Sequence, residues 1–333
     1  MGSGMSEGEL IFRPYAPGDE RAINDAFNEV FGLERPLDEW LWKYPPEPGG
    51  RPIMLALQDD ELLAVYGGLP ARLQVDGRTW SAVQIVDVLS TPAARRRLAR
   101  RGVWVRTVEE FFQVFGESGR YPLLYGFPGR RALRLGVLQL GYDALEPQTI
   151  GYLRRARGAA RSDLGRLLYR AELARDWEPR LDVLWRRVRP WYPVAMVRDA
   201  ERSTRRLAGR PRVRYHRFLV TPRISDQPVA FAAFRTDGKR CQWVDLVWDH
   251  GHPGALALLS RLGARLAEQT AIEGEEMWLN GDPAAVARLE SLGFTCCDEP
   301  NGLVLVARSF SPSLDVTSFD GRIYLTMADA DLV

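Results

Sequence analysis

The chain has 333 residues, 46% of them hydrophobic and 26% charged, a balance that fits a globular protein of two domains of ~150 residues each. No apolar run approaches the ~20 residues of a membrane helix. Lys and Arg number 45 against 43 Asp and Glu, so the net charge of +2 argues against a general polyanion binder, and neither a nucleic-acid nor a membrane partner is expected.

Of the cations, Lys43 and Lys239 alone are lysine, a bias that reads as codon usage before function. Residues 1–9 read as a start outside the fold, with Met1 to Met5 lacking the apolar core of a signal peptide. Cys241, Cys296 and Cys297 form no disulfide framework, so a reducing, cytoplasmic setting is expected, with the three as buried small hydrophobes. His216, His250 and His252 without a CxxC pair give no metal site.

A first strand is expected from Leu10 to Tyr15, then a helix capped by Asp19 with Ile23, Ala26, Phe27, Val30 and Phe31 on one face. A short helix over 37–44 stops at Pro45-Pro46. Strands follow at 52–57, 62–67 and 69–75, with turn signals at Asp59-Asp60 and Asp76-Gly77, then a central strand at 81–89. An Arg-rich loop leads to a helix over 102–115, a strand at 122–127 and a helix at 130–140. Residues 151–180 read as a connector with a helix near 164–173. The plan then recurs: a helix starting at 181–185, strands at 213–219, 229–235 and 242–247, a helix at 255–269, a strand at 276–279 and a helix at 283–292.

Two short matches mark the repeat. Ile85-Val86-Asp87-Val88 aligns with Trp243-Val244-Asp245-Leu246, and Gln139-Leu140-Gly141-Tyr142 with Ser291-Leu292-Gly293-Phe294. The spacing from Asp to Gly is 54 residues in one copy (87 to 141) and 48 in the other (245 to 293). The expected fold is α/β, with two lobes (10–150 and 181–310), each a mixed, mostly antiparallel sheet around a parallel pair flanked by helices, and a tail at 311–333.

With the run from Glu39 to Tyr44, the stretch Leu63 to Pro70, Val86 to Pro92 followed by Arg100-Arg-Gly-Val-Trp104, and Tyr125-Gly-Phe-Pro128, the chain resembles a tandem GNAT (Gcn5-related) N-acyltransferase. The likeness extends over nearly the whole chain and implies an acetyl-CoA or other acyl-CoA donor, or an acyl carrier protein, with a small-molecule or carrier-bound primary amine as acceptor and no metal. It implies that the pantetheine arm lies where the strands at 81–89 and 122–127 diverge. A backbone N–H near Val88 or Leu89 would face the oxyanion there, with Ser90, Phe127 and Pro128 nearby.

A diphosphate needs cations and helix-start N–H groups, which Arg97, Arg100, Arg101, Gly102, Val103 and Trp104 are placed to supply. Ala99 stands where the family keeps a cation, and Trp104 where it keeps a small residue. The family's tyrosine acid falls at Val137 and Leu289, neither of which can donate a proton, and the second phosphate loop is Asp249 to Gly254, without arginine. No CoA is expected in the second lobe.

Asp87 has two readings: a general base with a pKa raised by burial, or a structural carboxylate shared with Asp245. Asp331, if the tail docks, would bring a second carboxylate to the amine. The losses relative to the family leave open a binding or scaffold protein that no longer catalyses.

Overall fold

The computed structural model describes residues 9–96, 102–146 and 149–331. β1 (Leu10–Pro14) leads into α1 (Glu20–Phe31), whose buried Ile23 and Ala26 lie on the face the periodicity predicts. Asp19 precedes α1 but does not cap it; its carboxylate accepts from the Arg13 guanidinium at 2.7 and 2.8 Å. A charge-assisted fork outcompetes a single cap bond.

α2 (Leu37–Lys43) is followed by β2 (Ile53–Gln58), β3 (Glu61–Val75) and β4 (Arg78–Ser90), an antiparallel meander. The strands expected at 62–67 and 69–75 are one. Gly67 and Gly68 sit inside β3 because neighbours approach closely, not because the chain turns. A Cβ on Gly67 would meet the Tyr44 hydroxyl and the Val86 carbonyl, both at 2.9 Å.

α3 (Pro92–Arg96) and α4 (Val103–Phe111) come next, and α4 runs on as a π-helical segment, Phe112–Glu117. β5 (Leu123–Gly126), α5 (Arg130–Leu140) and β6 (Asp143–Ala144) complete the first half of the sequence.

The stretch read as a connector holds two strands, β7 (Tyr152–Ala156) and β8 (Tyr169–Leu173), around a 3-10 turn at Leu164–Leu168. The segment is rich in arginine. Arg155, however, is buried, donating to Glu275 at 2.8 and 2.5 Å and to Ser260 at 2.6 Å. A satisfied guanidinium passes inside where sequence alone places it in water.

The second half continues through α6 (Arg180–Val188), β9 (Val194–Met196), α7 (Ala200–Leu207), β10 (His216–Pro222), β11 (Ala230–Asp237) and β12 (Arg240–Trp248). It ends with α8 (Pro253–Gln269), β13 (Gly274–Trp278), α9 (Pro283–Ser291), β14 (Thr295–Cys297), β15 (Val306–Ser309) and β16 (Ile323–Tyr324). Cys241 is buried as expected, whereas Cys296 and Cys297 are exposed on β14, a sheet edge.

The fold is α/β with two mixed sheets. The first runs β1-β2-β3-β4-β5-β15-β6, with β9 on β3 and β16 on β9; the second runs β14-β7-β13-β12-β11-β10-β8. Each has a central parallel pair, β4 with β5 and β12 with β13. The halves interlock: β15, late in the chain, pairs with β5 and β6, and one apolar core holds Leu73, Ala82 and Leu123 together with Phe231, Trp243 and Leu246.

Candidate active site

The parallel pair at the centre of the first sheet is short. Ala82, Val83 and Gln84 pair with Leu123, Leu124 and Tyr125; β5 then ends at Gly126 while β4 continues to Ser90. On its other edge β4 pairs Val86 with Gly67 and Leu89 with Val65, so Asp87 and Val88 together oppose Tyr66. That is a β-bulge, and Asp87 takes φ +49° within it. Strand divergence and bulge open a cleft of about 330 Å³.

Asp87, Val88, Trp104, Phe127 and Pro128 line this cleft. Leu89 instead packs against the α1–α2 core with Trp40, Val103 is buried with Ala56 and Ala64, and Ser90 pairs with Ala64 at the strand end. Gly102, at φ +136°, stands at the start of α4. Arg97, Arg100 and Arg101 lie outside the described residues.

Two residues that sequence reasoning left out also line the cleft. The Tyr66 and Tyr142 hydroxyls lie 2.7 Å apart, buried, with Trp104 edge-on to Tyr66 at 6.5 Å between ring centres. Burial pushes both phenol pKa values up, so both keep their protons at neutral pH. In sequence Tyr142 marks a helix-ending turn and Tyr66 a strand position; neither carries a signal of pairing with the other. Val137, where the family's acid would fall, is exposed on α5.

Asp87 anchors an ion cluster. Arg35 donates to one carboxylate oxygen at 2.7 Å and Lys43 to the other at 2.6 Å, and Lys43 also bonds Asp331. Burial pushes the Asp87 carboxyl up, but Lys43 and Arg35 outweigh it and hold it below the ordinary carboxylate range. The two cations thus act on the group in the direction opposite to the rise a general base requires. Tyr44, buried beside Asp87, has its pKa raised by its own burial and then by that carboxylate.

The second half repeats the pair. Arg198, two residues before α7, donates to Asp245 at 3.1 Å, just as Arg35, two residues before α2, donates to Asp87. The counterpart cleft beyond β12 and β13 is filled by the chain itself. Tyr324 donates to the Leu246 carbonyl at 2.8 Å, Leu325 bridges to Asn280, and Thr326 reaches Asp245 at 2.9 Å. Asp329 then binds Arg198 at 2.5 Å and Arg202 at 2.7 Å, and the segment ends with Asp331 on Lys43. His250 is held by Asp282 at 3.0 Å and stacked on Trp191, and among the described residues no group of His, Cys, Asp and Glu is assembled for a metal.

A further pocket, of about 250 Å³, lies between α2 and α7. Trp42 and Lys43 line it, whereas Trp40 is buried in the core and Tyr44 beneath the ion cluster. Lys43 thus faces this pocket while its partner Asp87 faces the cleft.

Residues 12–134 match the family model of the acetyltransferase (GNAT) domain. The match spans most of the first lobe, and the two mixed sheets are consistent with a tandem GNAT arrangement. The whole chain is similar in structure to a GCN5-related N-acetyltransferase from Anabaena variabilis, with TM-score 0.69, 11% identity and coverage of 91% of this chain and 73% of that one. It is also similar to a GCN5-related N-acetyltransferase from Kribbella flavida, with TM-score 0.65, 15% identity and coverage of 91% and 71%. No curated protein matches the sequence. At these identities the likeness is one of fold.

Proposed function

We propose that the protein transfers an acyl group from an acyl-CoA thioester to a primary amine, with the thioester in the β4–β5 cleft and the amine arriving from the α2–α7 side. The observation that carries this is the divergence of β4 and β5 at the Asp87–Val88 bulge, which leaves backbone without a strand partner beside an apolar cleft. An extended pantetheine arm can lie along such backbone as a strand would, and the cleft's apolar walls suit its methyl groups.

The amine lone pair attacks the thioester carbonyl; the C–N bond forms, the C–S bond breaks and thiolate leaves. The ammonium proton passes to water, since Asp87 is held as the counter-ion of Arg35 and Lys43. The Tyr66–Tyr142 pair carries a hydroxyl proton not used between the two rings, and that proton can be given to the thiolate, with the ammonium proton returning through water to the phenolate left behind.

Acetyl-CoA and longer acyl-CoAs test the reading. At about 100 times Kd, ligand binding stabilises the fold by ~2.7 kcal/mol and raises Tm. Arg100→Ala with Arg101→Ala abolishes the shift if those arginines hold the diphosphate. Thiol release on adding an amine completes the test; no shift with any acyl-CoA would sink the proposal.

A further inference from the structure

The pocket between α2 and α7 is cationic. Lys43, Arg72, Arg202, Arg205 and Arg206 line it against Glu47 and Glu201. Most of these cations are already spoken for: Lys43 by Asp87 and Asp331, Arg72 by Asp199 and Glu201, Arg202 by Asp329, and Arg205 by Glu47. Arg206 differs. It donates to the Ala330 carbonyl at 2.6 Å and has no carboxylate partner among the described residues.

Two further observations mark a deficit of negative charge at this spot. The Nε of Arg202 is buried without a hydrogen-bond partner among the described residues, a state that few buried donors tolerate. Burial, and after it the neighbouring Arg206, push the Arg205 pKa below its ordinary value even with Glu47 paired to it, so the two guanidinium groups still repel. An anion between Arg205 and Arg206 would offset the repulsion between them, and a guanidinium fork matches the paired oxygens of a carboxylate or phosphate.

We propose that the amine acceptor is itself an anion, and that its carboxylate or phosphate seats on Arg205 and Arg206 while its amino group points past Lys43 toward the cleft. The proposal rests on the acyltransferase reading for the direction of the amine, but not for the binding of the anion. Lys43, the last residue of α2, lines this pocket and holds Asp87, which lines the cleft, so the path from the acidic end of the acceptor to the bulge of β4 runs past this ion pair. A cation-lined pocket also disfavours polyamines and other acceptors whose remaining groups are positive.

Matched pairs of acceptors test this: amino acids of increasing chain length against their amides, and aminoalkyl phosphates against the corresponding amino alcohols. With acetyl-CoA as donor, thiol release should show kcat/KM at least ~10-fold higher for the acidic member of a pair, since a charge-assisted contact is lost with its anion. The better of the two series tells carboxylate from phosphate. Arg206→Gln and Arg205→Gln should each close the gap by raising KM for the acidic member more than for the neutral one, and Arg206→Lys should retain part of it.

The same amines titrated by calorimetry separate the two layers of the argument. Acidic amines that bind wild type but not Arg206→Gln, with no thiol release from any amine, leave the anion site standing and remove the transferase reading. Thiol release that is equal for acidic and neutral members, or an Arg206→Gln effect equal on both, overturns the anion site and leaves the transferase. Failure of every acidic amine to bind or react also overturns the anion site.

Discussion

Replacing Asp87 by Asn separates a counter-ion from a base. The carboxylate is 3% exposed, and its partners Arg35 and Lys43 are 8% and 9% exposed, so the amide would leave the buried Arg35 without a carboxylate and Lys43 with Asp331 alone. Breaking a buried ion pair in this way costs ~3–5 kcal/mol. At about 2 °C per kcal/mol for a chain of this size, Tm should fall by ~6–10 °C in circular-dichroism melts at neutral pH.

The pH dependence has a definite sign. The folded-state pKa lies below the unfolded value, so the stabilisation is fully present above the unfolded pKa of about 3.9 and is lost as pH falls toward the folded pKa. The gap between wild type and Asp87→Asn should therefore be widest near neutrality and close below about pH 4. Changing all three residues to apolar ones of similar size should recover much of the loss. A variant with unaltered Tm and abolished turnover would refute the counter-ion account in favour of the base.

Tyr142→Phe leaves the Tyr66 hydroxyl buried without its partner, at a cost of ~1–3 kcal/mol in denaturant unfolding. If the pair protonates the thiolate, kcat also falls ~100-fold, whereas an unchanged kcat assigns that proton to water. Gly67→Ala sets a Cβ 2.9 Å from the Tyr44 hydroxyl and from the Val86 carbonyl, costing ~1–3 kcal/mol. Adding Tyr44→Phe removes one of those contacts, so the double change should cost less than the sum, and strict additivity would contradict the packing described. Gly281→Ala combines φ +70° with a Cβ 2.5 Å from the Ile323 carbonyl and should release the C-terminal segment, read as new proteolytic cleavage after residue 310. Unchanged cleavage would show that the segment stays docked without that contact.

Local signals carried most of the elements. The 3.6-residue apolar period of α1, the proline stop after α2 and the Asp76-Gly77 hairpin are each written within a few residues, and each forms as expected. The duplication was legible too, because both copies keep an aspartate on the central strand. Its meaning was not: Arg35 and Arg198, which explain the aspartates, lie 52 and 47 positions away and look like surface cations in sequence. β7 escaped for the same reason, since Arg155 reads as solvated until Glu275 is placed beside it. The Tyr66–Tyr142 contact joins residues 76 positions apart, and nothing local to either announces it. Pairing between distant polar groups is a property of the folded packing, and a sequence pattern reports only the burial of apolar ones.

The placement of β15 has a bearing on how the chain is made. Gly126 ends β5 and Val306 begins the strand that covers it, an interval of 180 positions (126 to 306). At ~5–20 residues per second, a ribosome takes roughly 10 to 40 s to deliver the covering strand. Throughout that time Leu123 to Gly126 present an unpaired apolar border, the kind of surface on which nascent chains stick to one another. Translation speed between these two strands, and any chaperone that shields the border, would then govern the yield of native protein more than the stability of the finished fold does.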